Sequence, residues 1–330
     1  MKKVCFKVMA STLLIAMVFF GGASTAYGYP TGPIRFIVPF AAGGGSDVLV
    51  RVLAPHLARE MGVTFVVENV EGAGTQIGLT ALLNAPADGY TISQANQPHL
   101  AFTIAVQGAT YSSSDFAWLN MHQIDDISFS AALDAPWHCF QDLIDDIRAR
   151  PGEIAIGVTQ MGGHHVFALY LQNTYDLDFI IVPYPGAGEG RAAVLGGHVD
   201  LFISTTFSDW TFRDNIRSIA VGGNERSPLW PDTLTILEAT GNERLAEVAN
   251  ALASFRGVLV SRQFKENYPE RFEKLVEAYR RAFYSEEHKA DADRTGQTPV
   301  MRWTGPEEAE RLSAGADEIV AAFAHYFAIR

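Results

Sequence analysis

The stretch that most constrains the fold is residues 36–47, FIVPFAAGGGSD. Phe36 to Phe40 is a short apolar, β-prone run, Gly43-Gly44-Gly45 is a turn, and Ser46-Asp47 opens a helical pattern. Glycines here allow backbone angles closed to other residues and keep side chains clear of a neighbouring ligand. Ser46 is a good N-cap with Asp47 in the first turn, so a helix is expected to start here with several N–H groups unpaired. Those donors and the positive end of the helix dipole suit a carboxylate or phosphate. An ordinary strand–turn–helix connection uses the same residues, so the motif alone leaves both readings open. The stretch has no Walker lysine, does not match GxGxxG, and fails GxSxG because Val48 stands at the last glycine position. A nucleotide site and a serine nucleophile elbow are therefore disfavoured.

Residues 1–28 read as a secretory signal peptide. Lys2, Lys3 and Lys7 form a basic start, Leu13 to Phe20 an apolar core too short to span a bilayer, and small residues lead to a cut after Gly28 or after Ala26. Cys5 precedes the apolar core, so a lipoprotein anchor is not indicated. The mature protein is expected to be exported and soluble. The formal charge is −12, and the leader takes three lysines with it, so the mature body is more acidic still. That balance argues against nucleic acid and anionic membranes, but not against small anions, which respond to local dipoles within about 8–10 Å. Only Cys139 remains after cleavage, which excludes an intramolecular disulfide and disfavours thiolate metal sites.

Along the chain, the helix after Ser46 puts Leu49, Val52, Leu53 and Leu57 on one face, with Pro55 expected to kink it. Val63 to Val67 reads as a strand, Gly72-Ala73-Gly74 as a second turn, Thr75 as a helix entry and Tyr90 to Ser93 as a strand: β-α-β-α-β, the pattern of a parallel sheet flanked by helices. The alternation then loosens: residues 94–115 look polar and Gly/Ser-rich, and 116–133 extended. A second alternating unit follows: strand 154–158 into Thr159-Gln160-Met161-Gly162-Gly163, strand 179–182 into Pro183 to Gly188, then strands 199–204 and 218–221. Residues 229–253 look irregular, 254–260 a strand, and the carboxyl end helical, with Leu312, Ile319, Val320 and Phe323 inward. Ligands of open α/β sheets sit beyond the carboxyl ends of the strands. Two facing sheets would line one cleft with four glycine corners, the geometry of a hinged solute receptor.

Six runs carry a family resemblance: YPTGPIRFIVPFAAGGGSD (29–47), VVENVEGAGTQIG (66–78), ADGYT (87–91), RPGEIAIGV (150–158), VPYPGAGEGRAAVLGGHVD (182–200) and RSIAVGG (217–223). In this order they resemble the periplasmic receptors of tripartite tricarboxylate transporters, the Bug family. The resemblance implies a type II periplasmic-binding-protein fold, two doubly wound α/β lobes joined by two crossing segments. It also implies capture of a small organic carboxylate for membrane transporter subunits, by a monomer with no cofactor. Lobe 1 is expected to comprise 29–128 and 255–330, lobe 2 residues 129–254, with the crossings near 125–132 and 250–257. The sequence departs from the family at Val70-Glu71, where Arg-Pro is usual, at Pro185, where lysine is common, and at Gln160, Met161 and the pair His164-His165.

The expected site combines backbone donors of loops 40–46 and 72–75 with the hydroxyls of Ser46 and Thr75. Candidate residues from the first lobe are Phe40, Ala41, Ala42, Gly44, Ser46, Ala73, Gly74, Thr75 and Gln97. From the second lobe they are Thr159, Gly163, His164, Tyr184, Gly186, Ala187, Ser204 and Thr205. No buried arginine is required in this reading. His164 facing the cleft would make affinity depend on pH near about 6.5. Asp47 and Asp200 read as helix-entry and turn partners. No catalytic or metal residues are assigned: no triad spacing or HExxH occurs, and adjacent histidines on a helix point about 100° apart. The alternatives are a periplasmic hydrolase, or a sensory or metal-binding receptor on the same fold.

Overall fold

The computed structural model describes residues 28–328; the predicted leader lies outside them except for Gly28. In chain order the elements are β1 (Ile34–Val38), α1 (Gly45–Met61), β2 (Phe65–Asn69), α2 (Gln76–Asn84), β3 (Thr91–Gln97), α3 (His99–Gln107), β4 (Phe116–Asp125) and β5 (Ile127–Ala132). Next come α4 (Phe140–Ala149), β6 (Ala155–Thr159), α5 (Gly163–Tyr175), β7 (Ile180–Tyr184), α6 (Ala187–Leu195), β8 (Leu201–Thr205), α7 (Thr206–Trp210) and β9 (Ile216–Val221). The last third holds α8 (Ile236–Thr240), α9 (Glu243–Ala251), β10 (Ser254–Ser261), α10 (Arg262–Asn267), α11 (Pro269–Tyr284), α12 (Glu286–Arg294), β11 (Met301–Thr304) and α13 (Pro306–Phe323).

The strands form two sheets, ordered β11-β4-β10-β3-β1-β2 and β7-β6-β8-β5-β9. β1 is parallel to β2 and β3, and β6 to β7 and β8, as the alternating pattern requires. β10 and β5 run antiparallel to their neighbours and make both sheets mixed. β1 is apolar almost throughout because helices cover both faces of its sheet; Ile34, Phe36, Ile37 and Val38 are fully buried.

The chain leaves the first sheet at Asp125 and enters the second at Ile127, and it returns between Ala251 and Ser254. Ser254 pairs with Asp125, so the two crossings lie side by side. Each sheet has its own core: Ile37, Leu79, Leu100, Trp118 and Leu259 in the first, Phe129, Ile156, Phe167, Leu201 and Ile203 in the second. α13 touches both. Ala309 and Leu312 pack in the first core, while Phe323, Ile319 and Val320 pack in the second. A division that assigns all of 255–330 to lobe 1 therefore does not describe the last turns of the chain.

Several local expectations are corrected. α1 runs unbroken across Pro55. Residues 94–115 contain the end of β3 and all of α3, whose apolar run Leu100-Ala101-Phe102 is buried. Residues 229–253 contain α8 and α9, opened by Thr235 and Asn242, whose side chains accept from Glu238 N and Leu245 N at 3.0 Å each.

Candidate functional site

α1 begins at Gly45, with Gly44 as its N-cap, and Ser46 makes no capping bond. The loop is held instead by Asp47. Its carboxylate accepts from Gly43 N (3.0 Å), Arg51 Nε (2.9 Å) and Asn69 Nδ2 (2.9 Å). These bonds hold the Asp47 carboxyl below the usual range despite its burial, which acts the other way. Ser46 is thus free to face elsewhere, and its Oγ accepts from Asn96 Nδ2 at 3.4 Å. Asp200 is a turn partner, accepting from Ala155 N at 2.8 Å.

The ends of the two sheets enclose a cavity of about 30 Å³. The first sheet lines it with Phe40, Ala41, Gly44, Gly45, Ser46, Asn96, His99, Ser254 and Arg256, and the second with Thr159, His164, Ala187, Ser204, Thr205 and Ser208. Three helices start at its wall, at Gly45, Gly163 and Ala187. Their first-turn N–H groups precede the first intrahelical bond and carry the positive ends of the dipoles. The glycine corners of the two halves pack directly on each other. A Cβ on Gly186 would meet Ala41 N at 3.0 Å, and one on Gly188 would meet Ala42 O at 2.5 Å.

Arg256 is the one charged side chain among the lining residues, and the sequence reading did not include it. It is 3% exposed on β10. Nη1 donates to Asp125, and Nη2 to Thr205 Oγ1 (2.6 Å) and Ser208 Oγ (2.9 Å), while Nε has no hydrogen-bond partner. Asp125 also accepts from Thr206 Oγ1 (2.7 Å) and Phe207 N (3.0 Å). One buried ion pair beside the two crossings therefore ties β4 and β10 of the first sheet to β8 and α7 of the second. A second buried pair, Arg191 with Asp209 at 3.5 Å, lies off the cavity; its guanidinium sits 4.4 Å from the centre of the Phe212 ring.

Of the adjacent histidines, only His164 lines the cavity. His165 packs edge-on against Phe327, 5.0 Å between ring centres. His99, at the start of α3, faces His164 from the other half. Both have an Nε2 atom with no partner, and both are held neutral. Burial is the main cause; it brings His99 down to about 3 and His164 well below its ordinary value, with nearby His165 and, for His164, also His99 and Arg256 opposing a further charge. The expectation that His164 titrates near pH 6.5 is corrected for this reason.

Nine of the candidate residues line the cavity: Phe40, Ala41, Gly44, Ser46, Thr159, His164, Ala187, Ser204 and Thr205. Ala42 and Gly186 are taken up by the contact between the glycine corners, and Gly163 lies against the Leu252 carbonyl. Gln97 turns away, donating to Ser313 Oγ at 2.7 Å. Tyr184 packs edge-on against Phe202. Ala73, Gly74 and Thr75, with φ of 47°, 58° and 78°, are not in the lining, but they stand just behind it: Gly74 bonds His99 through its backbone, and a Cβ on it would meet Met161 of the second half at 2.9 Å. The turn folds onto α3, where Thr103 Oγ1 donates to Gly74 O at 2.6 Å. Sequence reasoning missed Gly45, Asn96, His99, Ser208, Ser254 and Arg256. The available signal was a lone arginine inside the apolar strand 254–260, opposite an aspartate in the other crossing.

Two mixed α/β sheets joined by paired crossings, with a polar cavity at the seam of their strand ends, define a two-lobed binding protein. Residues 49–257 match the profile of the Tripartite tricarboxylate transporter family receptor, and the chain belongs to that family. It is 30% identical to Protein BugT of Bordetella pertussis over 275 residues, 77% of this chain and 82% of the relative. It is 26% identical to the UPF0065 protein in the gbd 5' region of Cupriavidus necator over 237 residues, 70% and 71% of the two chains. Among solved structures, periplasmic binding protein BugD aligns with a TM-score of 0.77 and 23% identity over 91% of this chain and 98% of its own. An R. palustris protein with adipate gives the same values, and MatC from Rhodopseudomonas palustris with bound malate gives a TM-score of 0.77 at 19% identity, over 90% and 99%. The fold expectation of two α/β lobes is met, as is the family resemblance. Among the described residues no helix is long and apolar enough to cross a membrane.

Proposed function

We propose that this chain is a periplasmic receptor, not an enzyme, that holds a small organic carboxylate between its lobes and delivers it to the membrane subunits of a tripartite transporter. The observation that carries the reading is the shared cavity, where a buried guanidinium and the starts of three helices converge from both lobes. The adipate and malate bound by two structural neighbours support the acid as guest. Each charge-assisted hydrogen bond contributes about 1.5–3 kcal/mol net, so four or five reach the roughly −8 kcal/mol of micromolar binding after association costs. The binding residues in this reading are those lining the cavity, and the lobes rotate about the crossings at 125–127 and 251–254. A guest touching both halves shifts the population toward the closed form.

Calorimetry of the mature protein against aliphatic, hydroxylated and aromatic carboxylates tests this. Saturable binding of one acid class at micromolar concentration, with neutral amides of the same acids inert, is the expected result. Equal binding of acids and amides would remove the carboxylate from the reading.

A further inference from the structure

We propose that the carboxyl-terminal turn of the chain is a clasp between the lobes: anchored on the first lobe, it seats on the second beside the cavity and holds the two in the closed arrangement. The proposal rests on the receptor reading above for its purpose, but its test needs no guest.

The anchor is the body of α13. Ala309 and Leu312 pack in the first core, Ser313 Oγ accepts from Gln97 Nε2 at 2.7 Å, and Glu310 pairs with Arg262 at 3.0 Å. The last turns then leave that lobe. Ile319, Val320 and Phe323, followed by Ala324, Tyr326 and Phe327 of the closing 3₁₀ turn Ala324–Ala328, pack in the second core. Their seat is α5. Phe323 and Tyr326 meet the Tyr170 ring edge-on, with centres 6.2 and 5.8 Å away, and the hydroxyls of Tyr326 and Thr174 are 3.3 Å apart. Phe327 meets His165 edge-on at 5.0 Å.

The position of this seat connects it to the cavity. Phe327 also lies 5.8 Å from Phe102 of α3, centre to centre. α3 follows a strand of the first sheet, yet it serves both cores: Leu100 and Ile104 pack in the first, Phe102 and Val106 in the second. α3 and α5 both begin at the cavity, where His99 and His164 line the wall. Phe102 and His165 stand within one helical turn of those histidines. Phe327 therefore fills the angle between two helices, one from each lobe, that carry the facing histidines. Two extended crossings absorb a hinge rotation through a few backbone angles. A rotation that draws His99 away from His164 also strips Phe102 and Phe327 from the second core and returns their rings to water, which is what opposes it. Loosening the seat lowers the closed fraction of the unliganded protein, and the apparent affinity for a guest that needs the closed form falls by the same factor.

The test is a spin-label distance measurement on the unliganded mature protein. Cys139→Ser removes its one thiol, and nitroxides are carried by Glu71→Cys on the first lobe and Leu195→Cys on the second, both exposed positions. In a chain ended at Phe323, and in Phe327→Ser, the ratio of long to short distances is expected to rise about tenfold, the equivalent of a half-buried aromatic ring. Phe327→Leu, which refills the seat, is expected to restore the parent distribution. Should the shortened chain fail to melt cooperatively, Phe327→Ser and Phe327→Leu carry the comparison. A folded variant with the parent distribution overturns the clasp, and so does a lowered melting temperature with unchanged distances, which would make the tail an ordinary part of the second core. Either result leaves the receptor reading to its own test, the calorimetry with carboxylates.

Discussion

Replacing Gly188 by alanine separates lobe closure from lobe stability. Gly188 sits in the first turn of α6 with helical backbone, so alanine meets no backbone strain there and favours the helix by up to about 1 kcal/mol. The new methyl would stand 2.5 Å from Ala42 O across the cleft, whereas ordinary contact begins near 3.4 Å. The corners must part by about 1 Å, and the contact involves backbone rather than a flexible side chain. Overpacking of this kind costs about 1–3 kcal/mol, and the cost falls only on the arrangement in which the corners touch. Ligand binding that depends on that arrangement weakens by roughly 5- to 150-fold. The melting temperature without ligand stays level or rises. Calorimetry and a thermal melt on the same sample read the two effects apart. Unchanged affinity would refute the reasoning, because it would mean that the guest is held with the glycine corners separated; a lowered melting temperature would place the damage inside the lobe instead.

Asp126, on the first crossing, has a carboxyl raised to about 6 by burial and by the neighbouring Asp125. The folded protein thus holds its proton more tightly than the unfolded chain, and stability falls as pH rises from about 4 through 6. Asp126→Asn is expected to stabilise the protein by about 1–3 kcal/mol near pH 7 and by little near pH 4; denaturant melts with equal gains at both values would contradict this. Since burial keeps His164 neutral, His164→Asn should change affinity without changing the shape of the pH profile of binding between about 5.5 and 8. An inflection near 6.5 that vanishes in the variant would show that the histidine titrates. Ser46 lines the cavity without capping α1, so Ser46→Ala should weaken binding roughly tenfold and leave the melt cooperative. A drop in stability with unchanged affinity would return Ser46 to a purely structural role.

What was legible in the sequence was the part written locally. A short apolar run followed by glycines and a helical pattern places 36–47, 154–164 and 179–190 at strand ends, and the structure puts cavity residues from each of them together. The turn at 72–75 looks the same on paper but stands behind the lining, with Gly74 against His99 and Met161, and Ala73 and Thr75 take left-handed angles that composition does not reveal. Asp47 was readable from its place in the first helical turn, although the cap itself proved to be Gly44. Arg256 was hidden by its surroundings: in SFRGVLVS the arginine reads as an interruption of a strand. Only the pairing of β10 with β4 shows that it stands beside Asp125, more than a hundred residues away. His99 lies in a stretch that reads as polar and Gly/Ser-rich, since Pro98 and the polar end of β3 mask the start of α3. Helix phase points His164 and His165 about 100° apart, but that His165 is the one set against Phe327, at the far end of the chain, is visible only in the structure.

Hydrogen–deuterium exchange with and without the tightest-binding carboxylate tests most directly whether one acid is gripped from both halves. Protection is expected together in 40–48, 159–166, 186–190 and 204–208. Protection confined to the segments of one lobe would contradict a guest held at the seam.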